Sequence, residues 1–319
     1  QRALLRQVVT TGRWPDAVVA PTGAGKSSVL EVHVFAVAMT HAPGWEGARA
    51  PRRLWHVVGR RALVDDMASR AEGVFDQLAE ITDVPGEAPL SRVAAALRRI
   101  SPAGQPGSVT TLRGGIAPER GWQDDPVSCQ VICATPDMAG SRLLFRGYGS
   151  TAGMRPREAG LIAYDSVLIL DEAHLNRQLL TTARRVASLA GESPLAAHVP
   201  VLQVVETTAT PAGLAPAQTS IGIELADIRT GAVGEALLRR LDRPKPVHLH
   251  LDGPWLVGGT ARETTQGAQE IARMAADAVG ATRLHRPEWV AADQRTGELY
   301  VTLTNGSGHD APVNSGRAS

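Results

Sequence analysis

The sequence predicts an α/β fold built on a mostly parallel sheet, and three observations support that prediction. Short apolar runs, such as 17–20, 54–58 and 167–170, alternate with longer segments whose apolar residues recur at helical spacing. This alternation is typical of parallel strands covered by helices on both faces. Gly-rich, polar or acidic clusters directly follow several of the runs, and ligands bind such sheets at the carboxyl ends of the strands.

The predicted elements of the N-terminal half follow from hydrophobic spacing. Residues 1–12 place apolar side chains at helical intervals and end at Gly12, a helix terminator. The run 17–20 reads as a buried strand, and a Gly-rich loop connects it to a helix over 26–40. The same criteria predict a loop over 41–52, strands over 54–58, 109–112 and 129–134, helices over 60–81 and 90–100, and a helix beginning at 135–137.

In the second half, a Gly- and Arg-rich stretch over 146–160 predicts a loop. A strand over 167–170, a helix over 176–190 and a strand over 199–206 follow it. Further along, the pattern predicts a strand over 246–251 and a C-terminal β-hairpin, with strands 289–292 and 298–303 around a turn at 293–297.

The composition is that of an ordinary globular protein, with 43% hydrophobic and 20% charged residues among 319. A net charge of +1 gives no global preference for nucleic acid, so such a function must depend on local sites. Cys129 and Cys133 lie in one apolar run without further zinc ligands, which favours buried thiols in a reduced, cytoplasmic protein. Without a long apolar run or a signal peptide, we expect no membrane association. Since Gln1 is not a natural start residue, we expect an upstream part to be missing.

The stretch Ala20–Ser27 reads APTGAGKS and lies between the first strand and a helix, the context of a phosphate-binding loop. The backbone of Thr22, Gly23, Ala24 and Gly25 would curl around a polyphosphate at the helix start, as in ATP binding. Lys26 would reach the β- and γ-phosphates, and the Ser27 hydroxyl would hold Mg²⁺. Lys26 is one of two lysines among 33 lysines and arginines, which opposes the alternative of an ordinary Gly/Ser turn.

The apolar strand 167–170 ends in Asp171-Glu172-Ala173-His174. Asp171 would hold Mg²⁺, mostly through water, and Glu172 would act as general base toward the water that attacks the γ-phosphate. His174 is placed to sense the γ-phosphate and relay its loss. The alternative interpretation is an acidic helix N-cap after a strand, which the helix dipole favours.

In this order, Ala20–Ser27, Asp171–His174 and Thr208–Thr210 resemble motifs I, II and III of the DEAH-type helicases of superfamily 2. The resemblance implies a RecA-like P-loop NTPase lobe that uses ATP and Mg²⁺. It also implies that Thr208 and Thr210 couple hydrolysis to lobe movement and that Gln1 reads the adenine. Two alternatives stay open: the threonines form a strand-ending turn, and Gln1 is a surface helix residue.

Four further stretches resemble the helicase–nuclease of type I CRISPR interference, an antiviral DNA-degrading effector, in its I-U or I-G branch. The stretches are Ala134–Asp137, Ser141–Gly149, Arg155-Pro156 and Leu170–Leu175, and the resemblance covers about residues 1–250. It implies an ATP-dependent helicase that moves on single-stranded DNA with a CRISPR interference complex as partner.

The same resemblance implies that DNA lies across the strand ends. Backbone amides, hydroxyls and guanidiniums there would hold phosphates without reading bases. The alternative for each arginine is an ordinary solvated surface charge. The candidate contacts are Arg60, Arg61, Gly114, Gly115, Thr135, Asp137, Ser141 and Arg142.

The sequence departs from the helicase pattern after Pro211. None of the following 108 residues resembles a second RecA-like lobe, which supplies an arginine finger, or a nuclease domain. We therefore expect nucleotide binding with little hydrolysis. Two rival interpretations are another superfamily 2 motor, such as a restriction-type translocase or an RNA helicase, and a non-enzymatic nucleotide-binding module.

The C-terminal stretches Met274–Thr282, Arg286–Trp289 and Gly297–Asn305 resemble the secreted PhoX-type alkaline phosphatases, which are calcium- and iron-dependent β-propellers. The resemblance makes Glu288 a candidate metal ligand. A single hairpin cannot close a propeller or assemble its metal site. The predicted organisation is thus an ATP-binding lobe over 1–250, a linker over 251–267 and, over 268–319, a foreign tail without phosphatase activity, joined by recombination or by assembly of mixed sequence.

Overall fold

The computed structural model describes residues 1–20, 24–81, 88–115, 121–208, 218–222, 287–292 and 299–303, the last two ranges by their backbone alone. The chain divides into two compact units, Gln1–Glu235 and Ala236–Ser319. The predicted strand over 246–251 lies outside the described residues.

The first unit alternates helices with strands, as the hydrophobic spacing predicts. The helices are α1 (Arg2–Thr11), α2 (Val29–Thr40), α3 (Arg61–Glu80), α4 (Pro89–Ile100), α5 (Gly121–Asp124), α6 (Pro136–Leu143), α7 (Arg155–Ala163) and α8 (Arg177–Gly191). The strands are β1 (Ala17–Val19), β2 (Arg53–Val57), β3 (Ser108–Leu112), β4 (Gln130–Ala134), β5 (Ser166–Asp171), β6 (Gln203–Thr208) and β7 (Ser220–Gly222). Short 3₁₀ turns cover Lys26–Ser28, Ala173–Leu175 and Pro194–Ala197.

Seven strands form one sheet in the order β3-β4-β2-β5-β6-β1-β7, and every pair of neighbours is parallel. The predicted α/β class with a mostly parallel sheet is therefore confirmed. The order also places β6 between β1 and β5. The loop after β1 and the acidic end of β5 are thus two strand spacings apart, about 10 Å.

Alternate residues of each strand enter two separate cores, one on each face of the sheet. On β2, Leu54 belongs to the core that α1, α2, α3 and α4 cover, whereas Trp55 and Val57 belong to the core under α5 to α8. Trp55 packs edge-on against Trp122 of α5, with ring centroids 5.1 Å apart. Burial on both faces explains why the central strands read as continuous apolar runs.

Three local features differ from the sequence predictions. The stretch 146–160, predicted as a loop, contains the start of α7, because Pro156 occupies the first turn of the helix, where its missing N–H costs nothing. Strand β6 covers Gln203–Thr208 instead of 199–206. The edge strand β7 and the single-turn helix α5 have no counterpart among the predicted elements.

In the second unit, β8 (Pro287–Ala292) pairs antiparallel with β9 (Leu299–Leu303), with a register shift between Pro287 and Trp289. The two paired strands are those that the sequence predicts there, and the predicted turn over 293–297 lies outside the described residues. In the described part of the chain, no helix has the length and apolar character that crossing a membrane requires.

Candidate functional site

The loop between β1 and α2 carries the first candidate site residues. Thr22 and Gly23 lie outside the described residues, while Ala24, Gly25, Lys26 and Ser27 follow directly after them. Gly25 adopts φ +87°, a left-handed conformation that side chains with a Cβ rarely adopt, so the turn requires glycine. From Gly25 the backbone enters a 3₁₀ turn over Lys26–Ser28 and then α2.

Lys26 faces the acidic end of β5. Its Nζ lies 3.5 Å from Oε1 of Glu172, and the two residues are 146 positions apart in the sequence. The Lys26 side chain is only 12% exposed, against 41% for Glu172. The structure therefore brings together the predicted phosphate-binding lysine and the predicted general base.

Glu172 has an unusual backbone conformation, with φ +48°. A left-handed residue other than glycine carries strain of about 1–3 kcal/mol and persists only where its surroundings enforce it. Such residues concentrate at functional sites. The strain thus supports a functional role for Glu172, independent of the sequence motif.

Asp171 is fixed by two hydrogen bonds to one of its oxygens. The hydroxyl of Thr207 donates to Oδ1 at 2.6 Å, and the backbone N–H of Glu172 donates to the same atom at 3.1 Å. Strand pairing places Thr207 directly opposite Asp171. The sequence analysis missed Thr207 because it assigned the coupling role to its neighbours Thr208 and Thr210.

Of the predicted coupling residues, the structure describes Thr208 fully, His174 by its backbone alone, and Thr210 not at all. Thr208 is buried, and its backbone carbonyl accepts a hydrogen bond of 3.1 Å from the N–H of Ala20, which ties the end of β6 to the phosphate loop. His174 lies in the 3₁₀ turn Ala173–Leu175, but its side chain is outside the description. Thr210 lies outside the described residues.

His56 is a second residue that the sequence analysis missed. It lies on β2 and is buried, and burial lowers the pKa of its imidazole to about 4, although the negative charge of Asp171 opposes that shift. Within the described residues its Nδ1 has no hydrogen-bond partner. A neutral imidazole therefore lies behind Asp171 at neutral pH. Its only sequence signal is a histidine within an apolar strand.

The residues present fit a magnesium–nucleotide complex. Asp171 ends β5 partly exposed, with one oxygen oriented by Thr207. Ser27 lies half-buried on the turn after β1, two strand spacings from β5. Mg²⁺ is commonly held by one or two protein oxygens, with water and phosphate completing the shell. Among the described residues no group of three or more His, Cys, Asp or Glu could hold a metal ion.

Gln1, predicted to contact the adenine, lies beside the phosphate loop. Its Nε2 is 3.8 Å from the position that a Cβ on Gly25 would occupy. Its backbone carbonyl accepts the first hydrogen bond of α1, from the N–H of Leu5 at 2.9 Å. The packing of α1 against α2 thus brings the predicted adenine contact next to the loop.

The predicted DNA contacts after β2, β3 and β4 come together because those strands are neighbours in the sheet. Nη2 of Arg61 lies 3.2 Å from the position of a Cβ on Gly114, and its Nη1 lies close to Gly115. Arg60 and Arg61 are exposed. At the end of β4, the N–H of Thr135 donates to the carbonyl of Leu112 at 3.1 Å, and Asp137 follows, exposed, in the first turn of α6.

The prediction that Arg142 contacts DNA is wrong. Its side chain is 1% exposed, lies 3.7 Å from the carboxylate of Glu158 and donates to the carbonyl of Met138 at 2.9 Å. A guanidinium enclosed in this way cannot reach a phosphate in solvent. Ser141 donates its hydroxyl to the same carbonyl and lies about 9 Å along α6 from Thr135, away from the strand ends.

Both cysteines are free and buried, as the sequence predicts. Burial raises the pKa of the Cys129 thiol, and it raises the pKa of the Cys133 thiol to about 12. Glu288 lies on β8, and its side chain is outside the description.

Comparison with known proteins gives two kinds of similarity. A family model described as alkaline phosphatase PhoX matches residues 223–319, which is less than half of the chain and begins before the predicted tail. No curated protein sequence matches. The C-terminal resemblance to PhoX-type phosphatases is therefore found independently, over a longer range.

The solved structures that are similar to the chain include a helicase domain and a splicing factor. The Pyrococcus furiosus Hef helicase domain matches with a TM-score of 0.39 and 17% identity, over 89% of this chain and 47% of that one. The yeast DEAD-box splicing factor Prp28 matches with a TM-score of 0.38 and 14% identity, over 77% of this chain and 52% of that one. The chain spans about half the length of each. The fold class itself follows from the strand order given above.

Proposed function

We propose that residues 1–250 form the ATP-binding lobe of a superfamily 2 helicase of the DEAH type, which couples ATP hydrolysis to movement on single-stranded DNA. The observation that carries the proposal is the contact of Lys26 with Glu172 beside the anchored Asp171. A loop cation and two strand-end carboxylates in this arrangement serve a phosphate with its metal. The strained backbone of Glu172 and the left-handed Gly25 support the same assignment.

The geometry suggests how nucleotide binding prepares the site. Lys26 pairs with Glu172 in this structure, so a polyphosphate that takes the ammonium as its partner releases the carboxylate. The Glu172 carboxylate would then accept a proton from the attacking water as general base. Mg²⁺, held by Ser27 and Asp171, would neutralise phosphate charge during the reaction.

Nucleic acid is the proposed partner at the strand ends. The exposed Arg60 and Arg61 lie with Gly114 and Gly115 and with the start of α6 along one edge of the sheet. Guanidiniums and backbone amides there can hold phosphates without reading sequence. The stretches Ala134–Asp137 and Leu170–Leu175 support the narrower proposal of a cytoplasmic CRISPR type I interference helicase with an interference complex as partner.

The experiment that tests this proposal is ATP hydrolysis by the full chain, measured with and without single-stranded DNA. We expect slow hydrolysis that DNA stimulates, and Glu172→Gln should bind ATP as well as the unchanged protein while losing hydrolysis. Hydrolysis that persists in Glu172→Gln, or that DNA leaves unchanged, would contradict the proposal.

Two rival functions have distinct outcomes in the same assay. Stimulation by single-stranded RNA but not DNA would identify a different superfamily 2 motor. ATP binding without hydrolysis, even in a single turnover with a second lobe supplied in trans, would identify a nucleotide-binding switch module.

The match of residues 223–319 to alkaline phosphatase PhoX favours one further candidate activity. We propose that this region has no phosphatase activity, since the hairpin that the structure describes there, β8 with β9, cannot by itself provide a propeller and its metal site. Hydrolysis of p-nitrophenyl phosphate by the full chain with Ca²⁺ and Fe³⁺, lost in Glu288→Gln, would overturn this proposal. Sequencing the source DNA across the codons for 253–287 tests whether one molecule encodes both parts.

A further inference from the structure

The loop Leu144–Tyr148, which follows α6, exposes three large apolar side chains. Leu144 and Phe145 are each 57% exposed and Tyr148 is 59% exposed. Aromatic residues make up only 4% of the sequence, so two exposed rings three positions apart are a costly use of a scarce residue type. We propose that Phe145 and Tyr148 form a stacking surface for the bases of single-stranded nucleic acid, which rests on the proposed function.

The backbone conformation of Phe145 is one that disfavours residues other than glycine. α6 ends in a Schellman motif, in which the N–H of Arg146 donates to the carbonyl of Ser141 at 2.6 Å and that of Phe145 to Arg142 at 3.1 Å. The residue at the position of Phe145 must be left-handed in this motif, and it is usually glycine. Phe145 occupies it at φ +58°. The protein tolerates strain in order to hold an aromatic ring in solvent.

The loop is fixed from below by a buried ionic cluster. Arg142 and Glu158 form an ion pair with both side chains at most 2% exposed. The hydroxyl of Ser150 donates to both oxygens of Glu158 at 2.7 Å, and Gly147 packs against the same carboxylate, where a Cβ would be 2.3 Å from Oε2. Nη2 of Arg142 donates to the carbonyl of Tyr148 at 3.5 Å. The backbone that carries the two rings is thus held in place, which lowers the entropic cost of binding.

The charge around the loop selects the partner. Between Asp137 and Glu158 the sequence contains no acidic residue, while Arg146 and Arg157 are exposed and Arg155 is half-buried. Glu158, the acidic residue at the end of this stretch, is buried and paired with Arg142. Aromatic faces near guanidiniums are typical of surfaces that bind single strands. A protein partner is the competing occupant that the experiment must exclude.

The experiment compares binding of the full chain to a labelled oligothymidine and to an abasic oligonucleotide of the same length, by fluorescence anisotropy. Phe145→Ala and Tyr148→Ala should each weaken oligothymidine binding about tenfold and leave abasic binding unchanged, because only a base can stack. Leu144→Ala is the matched control, since it removes an equally exposed but non-aromatic side chain. Tyr148→Phe, which keeps the ring, should bind as the unchanged protein.

Phe145→Gly distinguishes a loss of nucleic-acid binding from a loss of stability. Glycine relieves the left-handed strain, so the melting temperature should rise by about 2–4 °C while oligothymidine binding weakens as in Phe145→Ala. Equal binding of oligothymidine by the ring variants and the unchanged protein overturns the stacking surface alone. Ring variants that weaken only the binding of a protein partner overturn it as well. If the unchanged protein binds neither oligonucleotide, the nucleic-acid partner of the proposed function fails with it.

Discussion

At the residue scale, the hydroxyl of Thr207 controls which oxygen of Asp171 faces outward. It donates to Oδ1 at 2.6 Å, on a strand paired in register with β5. Groups that orient a metal ligand in this way affect metal affinity although they do not touch the metal. Thr207 is therefore a positioning residue for the proposed Mg²⁺ site.

Replacing Thr207 with valine keeps the shape of the side chain and removes the donor. We expect the affinity for Mg²⁺ in the presence of ATP to fall about tenfold or more, while ATP binding without Mg²⁺ changes little. Titration of Mg²⁺ against the ATP-bound protein measures the effect, and Thr207→Ser should restore it. Equal Mg²⁺ affinity in Thr207→Val and the unchanged protein would contradict the positioning role.

Which site residues could be predicted from the sequence depends on how local their signal is. Lys26 and Glu172 stand in contiguous motifs, each at the end of an apolar strand, so their side of the sheet was predictable. Thr207 and His56 relate to Asp171 only through strand register and burial, which no local pattern encodes. Arg142 looked like a surface cation because its partner, Glu158, lies in a helix that the sequence analysis had assigned in part to a loop.

At the scale of elements, the buried pair Arg142–Glu158 joins α6 to α7. Gln123 of α5 donates a further hydrogen bond of 2.7 Å to Glu158. Breaking a buried pair leaves one charge without compensation, which costs far more than the net contribution of the intact pair. The cluster therefore holds three helices of one sheet face in register.

Glu158→Gln tests this role of the cluster. We expect the free energy of unfolding to fall by about 3 kcal/mol or more, because Arg142 would remain charged and buried. Urea denaturation of the full chain gives the value. Glu31→Gln is the matched control: its pair with Arg70 is at the surface, with side chains 33% and 45% exposed, so its loss should cost less than about 1 kcal/mol. Equal losses in the two variants would contradict the assignment.

At the scale of the whole molecule, strand order creates the site. The alternation of apolar runs with amphipathic segments was sufficient to predict a parallel sheet with its ligands at the strand ends. The order was not predictable, because it depends on which strands pair across long stretches of sequence. That order places β6, with Thr207, between the phosphate loop and Asp171. It also makes β2, β3 and β4 neighbours, so the proposed DNA contacts lie together at the carboxyl ends of these three strands.

The two cores also contain buried bases that tie stability to pH. His33 of α2 and His56 of β2 are fully enclosed, and burial lowers their pKa values to about 3 and about 4. The backbone of Arg52 and Gln130 near the His33 ring opposes that shift only weakly. An unfolded chain protonates both rings near pH 6.5, so it binds more protons than the folded protein below that pH.

The free energy of unfolding should therefore have its full value above about pH 6.5 and decrease as the pH falls toward 4. Each of these two histidines contributes at most about 1.4 kcal/mol per pH unit, and His41, whose pKa burial also lowers, adds to the slope. Urea denaturation at several pH values measures the slope, and His33→Leu should reduce it by about 1.4 kcal/mol per pH unit. Substitution of the exposed His198 serves as the control. A slope unchanged in His33→Leu would contradict this account.

The central claim is that Lys26 binds the phosphates of a nucleotide, and the most direct test is calorimetric titration of the full chain with Mg²⁺ and a non-hydrolysable ATP analogue. Lys26→Ala should abolish binding, whereas Lys245→Ala, which removes the other lysine of the sequence, should leave it unchanged. Equal binding by Lys26→Ala and the unchanged protein, or no binding by the unchanged protein, would contradict the account.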